Sequence, residues 1–201
     1  MSDALATWSS YRPGDLLMFA PATYLRLFER INLEVWPAQL LFLPLVAVLL
    51  WLARRPERLA HRAAGLMLAA GWAGVIVGFF RLYAEINLAA PWLAGLFATQ
   101  ALALAALALL GPGLALDNRA RRARIGLLVT VWGLAGHPLL LLALGRSPAA
   151  LELAGLAPTP TAITTIGLLL MSRLRHSVAW LVLPILWCLI AALTWWALLT
   201  T

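Results

Sequence analysis

Long apolar runs separated by short polar loops dominate the chain from about residue 35 to its end. A bilayer's hydrocarbon core is crossed by about 20 mostly apolar residues in a helix. Five runs reach that length: 35–53, 63–83, 91–110, 125–145 and 178–200. A sixth run, 158–171, is shorter, and the Pro residues in its PTPTAITT start indicate the first turn of a helix. The pattern predicts an all-α integral membrane protein with a six-helix transmembrane bundle.

The segment 21–32, PATYLRLFERIN, precedes the first predicted crossing and follows a different pattern. Its apolar residues fall broadly on one side of a helix, and Arg26, Glu29 and Arg30 fall on another. We therefore predict a short amphipathic helix at the outer membrane interface. A simple extension of the first crossing is the alternative. Residues 1–20 are predicted to form an amino-terminal tail, and 21–201 a single transmembrane domain.

Composition and charge support the membrane assignment and add an orientation. Hydrophobic residues make up 63% of the 201 residues and charged residues 11%, whereas soluble domains carry about 25% charged residues. The 15 basic residues are all Arg, and they concentrate in the segments 54–62, 117–124 and 172–177. The positive-inside rule places these segments in the cytoplasm. We expect both termini outside, in a bacterial inner membrane, with the lipid bilayer as the partner and no nucleic acid.

Polar side chains at membrane depth are costly and therefore mark candidate functional residues. Most of those in this chain fall in the outer half of the predicted bundle. The candidate polar site comprises Glu34, Gln39, Arg81, Glu85, Asn87, Gln100, His137, Thr159, Thr161, Thr164 and Thr165. We hypothesise that folding gathers them around one cavity open to the outside.

Each part of this candidate site has a structural and a functional interpretation. Arg81 lies one helical turn before Glu85 and could pair with it or with Glu34, either as a structural ion pair or as a charged lining. Pro138 frees a backbone carbonyl beside His137, which suits a cation, a proton relay or a kink with a hydrogen-bonded imidazole. The PTPTAITT helix start could attract an anion, or its threonines could bond back to their own helix.

Metal and cofactor chemistry finds no support in the sequence. The three histidines, His61, His137 and His176, form no HxxxH pair, and Cys188 is the lone cysteine. We therefore predict no metal and no cofactor. No pattern proposes a catalytic nucleophile with its base, so the sequence leans against an enzyme.

Several stretches together resemble an uncharacterised family of small bacterial integral membrane proteins. These stretches are INLEVWPAQ, YAEINLAAPWLAGLFATQALAL, the His-Pro step at 137–138, and LAGLAPTPTAITTIGLLL. The residues matching its WPAQ-like and PxPTT-like motifs are Trp36, Pro37 and Gln39 for the first, and Pro158, Pro160 and Thr161 for the second. Ala162 departs from the second motif, where another Thr is expected. The resemblance spans about 20–200 and implies a membrane fold without supplying an activity.

Three functional classes follow from these observations. The first is a transporter or channel for a small solute or ion, because outer polar groups, Pro-interrupted helices and a short helix recur in transport sites. The second is a non-catalytic subunit or scaffold, as a homo-oligomer or within a larger membrane complex. The third is a membrane-embedded enzyme or lipid-binding protein. The sequence favours transport and leaves the other two classes open.

Overall fold

The chain is almost entirely helical in a computed structural model, which describes residues 19–117, 121–174 and 177–199. His176 and most of the amino-terminal tail lie outside these ranges. No β-strand occurs in the described residues. The helices are α1 (Pro21–Val35), α2 (Phe42–Arg54), α3 (Arg58–Tyr83), α4 (Ala90–Leu109), α5 (Arg121–Val131, Trp132–Gly136 and His137–Ala143), α6 (Pro158–Met171) and α7 (Ser177–Leu199).

Four of these helices are long and apolar enough to cross a membrane. They are α3, α4, α5 and α7, which match four of the predicted crossings. α1 and α2 together would add a fifth span, although they are bent by 88°. α6 is apolar but has only 14 residues. The helical fold is thus compatible with a membrane protein, and the number of six crossings stays a prediction.

The first predicted crossing begins later than the sequence pattern suggested. α1 continues to Val35, a short 3-10 turn covers Ala38–Leu41, and α2 starts only at Phe42. Pro37 explains the break, because it lacks an N–H and disfavours a helical conformation at the residue before it. Trp36 is accordingly extended, with ψ 135°.

The amphipathic pattern of α1 is present, and its apolar face is covered by protein. Tyr24, Phe28 and Ile31 are buried, whereas Arg26 and Arg30 are exposed. The Phe28 ring stacks on Phe79 of α3 with centroids 5.5 Å apart. The apolar face of an amphipathic helix requires an apolar partner. For α1 this partner is α3, in place of lipid.

α6 lies at the centre of the bundle and is buried along most of its length. Its main neighbours are α5 and α7. Small residues permit the close approach to α5, since a Cβ added to Gly126 would lie 2.6 Å from the carbonyl oxygen of Gly167. Burial by protein explains why this short helix has a threonine-rich start that lipid would not tolerate.

The described parts of the three Arg-rich segments meet at one end of the bundle, which we call the Arg-rich end. The loop 111–117 joins them through backbone hydrogen bonds of 2.9 Å. The N–H of Leu116 donates to Ala53 of α2, that of Leu114 to His61 of α3, and that of Arg173 to Ala115. The opposite end carries α1, the α3–α4 turn and the loop after α5. This arrangement agrees with the prediction that the three Arg-rich segments lie on one side.

Candidate functional site

A cavity of about 390 Å³ opens between α2, α3, α6 and the segment 154–156. Ligand pockets in proteins commonly enclose about 300–1,000 Å³, so this space suffices for a small molecule. The walls are mainly apolar, and Leu45 and Leu49 of α2 face Leu68 of α3 across it. Leu45 is 53% exposed, so the α2 side of the cavity is incompletely covered.

Gly71 and Gly155 line this cavity where the loop before α6 packs against α3. A Cβ added to Gly74 would lie 2.6 Å from the carbonyl oxygen of Gly155, so the loop before α6 rests directly on the α3 backbone. Gly155 has φ +85°, a conformation that glycine adopts without strain. Gly71 contributes to the cavity wall one turn earlier. The backbone of this loop thereby forms part of an otherwise mainly apolar cavity wall.

Gln39 and Thr161 bring polar side chains to the cavity. The Oε1 atom of Gln39 is buried and has no hydrogen-bond partner among the described residues. The Thr161 hydroxyl, in contrast, donates to the carbonyl of Ala157 at 2.6 Å and accepts the N–H of Gly155 at 2.7 Å. Thr161 thus holds the loop in place, whereas the Gln39 amide retains unused hydrogen-bonding capacity.

Thr164 also lines the cavity, and its hydroxyl behaves differently from other helical threonines. Such hydroxyls usually bond back to the carbonyl four residues earlier, as Thr161 and Thr165 do here. The Thr164 Oγ1 is buried and lacks a partner within the described part of the chain. It faces α5, where a Cβ added to Gly133 would lie only 2.5 Å from it. The unpaired hydroxyl therefore sits at the α5–α6 contact, behind the cavity wall.

His137 belongs to a second group, a buried charge cluster with Arg146 and Glu152. Its Nε2 lies 3.1 Å from Glu152 Oε2, and Arg146 Nη1 donates to the other carboxylate oxygen at 2.9 Å. Glu152 is only 1% exposed. The Arg146 guanidinium lies over the rings of Trp195 and Phe28 at 4.9 and 5.5 Å. The cluster gives each carboxylate oxygen a polar neighbour, and the Arg146 guanidinium supplies the positive charge that a buried carboxylate requires.

Glu152 is a residue that the sequence analysis missed. It lies in the segment 145–158, which the sequence places in a loop, and nothing in its spacing connects it with His137. The structure buries this loop because α1 covers it. The Asn32 side-chain amide of α1 donates to the carbonyls of Ala149 and Leu151 at 2.7 and 2.8 Å. The available signal in the sequence was Asn32, a polar residue on the apolar face of the amphipathic helix α1.

Glu34, Arg81 and Glu85 form a third group, an exposed ion-pair network with Arg30. Arg81 pairs with Glu34, and Arg30 reaches Glu34 at 3.2 Å and Glu85 at 3.0 Å. The hydrogen bond to Glu85 and the negative charge of both carboxylates raise the pKa of Arg30. All four side chains are 41–53% exposed. The network connects α1 with the end of α3, and solvent weakens each of its pairs.

The remaining candidate residues make contacts that hold elements together. Asn87 donates to the Tyr83 hydroxyl at 2.6 Å, and Gln100 donates to the Trp180 carbonyl at 3.4 Å. Thr159 and Thr165 accept the indole N–H groups of two core tryptophans: Trp187 at 3.4 Å and Trp72 at 2.9 Å, respectively. Of the candidate polar site, the structure thus brings Gln39, Thr161 and Thr164 to one cavity and distributes the others elsewhere.

These features define an all-helical protein, compatible with a membrane, that has an apolar cavity beside a threonine-rich central helix. A family model matches residues 22–198, and the chain belongs to that family, which is described as a family of unknown function (DUF6064). The match agrees with the resemblance to an uncharacterised family noted above. No curated protein matches the chain, and no solved structure matches it.

Proposed function

We propose that this protein is a transporter in a bacterial inner membrane, and that it carries a small, mainly apolar solute with one hydrogen-bonding group. The observation that carries the proposal is the cavity between α2, α3 and α6. Its apolar walls suit the apolar part of a solute, and the unpaired Oε1 atom of Gln39 suits a hydrogen-bonding substituent. A bare ion would require several polar ligands in place of these walls.

The bundle contains two helix pairs, one with α3 and one with α6 of the cavity wall, whose construction suits movement. α3 and α5 each contain a π-helical turn, Ile76–Phe80 and Trp132–Gly136, and such turns are frequent at functional sites. α3 packs mainly on α4, and α5 on α6. The second helix of each pair starts with Pro in its first turn, Pro91 or Pro158. Two similar helix pairs resemble the repeats of transporters, which move against each other.

A lipid-binding protein without transport activity is the second candidate. The observation that favours it is the incomplete α2 wall, where Leu45 is half-exposed beside the cavity. A molecule dissolved in the bilayer could enter from that side. The two functions share the same ligand chemistry and differ in whether the ligand crosses the membrane.

Uptake into liposomes tests the proposal. Purified protein is reconstituted and incubated with a defined mixture of medium-chain fatty acids, isoprenoid alcohols and short-chain quinones, and the internal content is measured by mass spectrometry. We expect at least one compound to accumulate faster than in protein-free liposomes. Gln39→Leu should remove this uptake, because it preserves volume and deletes the amide.

Thr99→Val is the matched control, since Thr99 is a helical residue whose hydroxyl bonds only to its own helix at Gly95. Its uptake should equal that of the wild type. Equal uptake by wild-type and Gln39→Leu liposomes would refute the cavity as the transport site. A compound that remains bound to the protein in native mass spectrometry, without accumulating inside liposomes, would support lipid binding in place of transport.

A further inference from the structure

A groove at the Arg-rich end runs along one face of α2, away from the cavity described above. Ala47, Leu50, Trp51, Arg54 and Arg55 line it. The first four lie at positions i, i+3, i+4 and i+7, so they form a single stripe along the helix. The stripe is apolar toward the middle of α2 and basic at its end.

The two arginines at the end of the groove have hydrogen-bonding capacity to spare. Arg54 Nη1 donates to the carbonyl of Leu50 at 3.1 Å, which uses one of five guanidinium N–H groups. The Arg55 guanidinium lies over the Trp51 ring at 4.2 Å, a cation–π contact that does not require a hydrogen bond from its N–H groups. Both side chains are exposed. Neither is ion-paired with a carboxylate of the described residues.

We propose that this groove binds an anionic phospholipid. The guanidinium groups of Arg54 and Arg55 line the same groove, and arginine recognises phosphate oxygens through paired hydrogen bonds. Trp51 lies between the basic and apolar parts, the position that tryptophan prefers at a membrane interface. Ala47 and Leu50 extend the site along the helix, where an acyl chain would lie.

The apolar part of the stripe decides between a lipid and a free phosphate. Both would satisfy the two arginines, but only a lipid would also cover Ala47, Leu50 and the exposed Trp51. Basic pockets of transmembrane helices on the cytoplasmic side bind anionic headgroups for the same reason. The site therefore requires a negative headgroup and an acyl chain in one molecule.

Lipid binding to the delipidated full-length protein tests the proposal. The protein in mild detergent is mixed with equal amounts of dioleoyl phosphatidylglycerol and dioleoyl phosphatidylcholine, and bound lipid is counted by native mass spectrometry. We expect preferential retention of phosphatidylglycerol. Each basic residue near an anionic surface strengthens binding roughly fivefold, so Arg54→Gln/Arg55→Gln should weaken it by about 25-fold.

The control variant, Arg26→Gln/Arg173→Gln, removes the same charge from exposed positions outside the groove. It should bind phosphatidylglycerol like the wild type, and size-exclusion chromatography checks that both variants fold. Equal binding of the two lipids, or equal loss in both variants, would overturn the proposal. Displacement of the lipid by 50 mM inorganic phosphate would identify a phosphate site and overturn the lipid assignment, whereas retention in that buffer supports it.

Discussion

Thr164 and its neighbour Thr165 permit a direct test of how hydrogen bonding is distributed along α6. Both residues are buried, and replacement by Val preserves the shape of each side chain. Thr164→Val removes a hydroxyl without a partner in the described structure. Thr165→Val removes a hydroxyl that accepts the Trp72 indole N–H and donates to the Thr161 carbonyl. Two adjacent and chemically identical changes should therefore have different effects on stability.

The magnitudes follow from the cost of unpaired buried groups. A buried donor without a partner costs about 1–3 kcal/mol, although hydrogen bonds between transmembrane helices contribute only about 0.6 kcal/mol on average. We therefore expect Thr165→Val to lower the free energy of unfolding by about 1–2 kcal/mol, because it strands the Trp72 N–H. Thr164→Val should leave this free energy unchanged or raise it by up to about 1 kcal/mol, since no bond is lost.

Thermal unfolding in detergent, followed by tryptophan fluorescence, measures both variants. One kcal/mol corresponds to about 2–4 °C for a chain of this size, so Thr165→Val should melt about 2–8 °C below the wild type. Thr164→Val should melt at or slightly above it. If both variants melt at the same reduced temperature, the Thr164 hydroxyl has a partner, and the assignment of an unpaired group at the α5–α6 contact is wrong.

Three further substitutions and one control variant test other parts of the structure by the same melting assay. Glu152→Gln should lower stability by about 3–5 kcal/mol, because it removes the counter-charge of a buried pair; a change below 1 kcal/mol would contradict the buried charge cluster. Glu34→Gln should lower the free energy of unfolding by at most about 1 kcal/mol, and high salt should abolish the difference from the wild type. A salt-independent loss would show that solvent does not screen the ion-pair network. Gly74→Ala should destabilise by about 1–3 kcal/mol, since its Cβ would meet a backbone oxygen at 2.6 Å. Gly95→Ala, with open space around it, should be neutral or stabilising, and an equal loss in both would refute the close contact.

The positions of the long helices could be predicted because membrane-length helices follow from local composition. α3, α4, α5 and α7 coincide with long apolar runs, and the Arg-rich loops between them lie at one end. The break at Pro37 was predictable in principle, since proline restricts its predecessor whatever the tertiary context. The apolar run continues through this position, and hydropathy averaged over a window does not register a single missing N–H.

The grouping of the polar residues could not be predicted, because it depends on how the helices pack. Glu34 and Gln39 are five residues apart, yet one belongs to an exposed ion-pair network and the other lines an apolar cavity. His137 finds its partner in Glu152, a residue that a loop assignment places in water. The predicted depth of a residue in the membrane identifies the polar side chains that are costly to bury. Only the packing of the helices shows which neighbours form hydrogen bonds or ion pairs with them.

The buried polar residues fall into two kinds, according to whether the fold supplies hydrogen-bond partners for them. The two kinds differ in their prospects for function. The Glu152 carboxylate contacts the His137 ring and the Arg146 guanidinium, and Thr165 is bonded on both sides, so their burial is explained by the contacts that they stabilise. The Gln39 amide lines a cavity with its oxygen unpaired in the described structure, and the fold gains no hydrogen bond from that oxygen. The proposed function supplies the missing partner, because a polar group of the transported solute would bond to this oxygen. Gln39→Leu should therefore abolish solute binding without lowering the melting temperature, a combination that a purely structural glutamine would not produce.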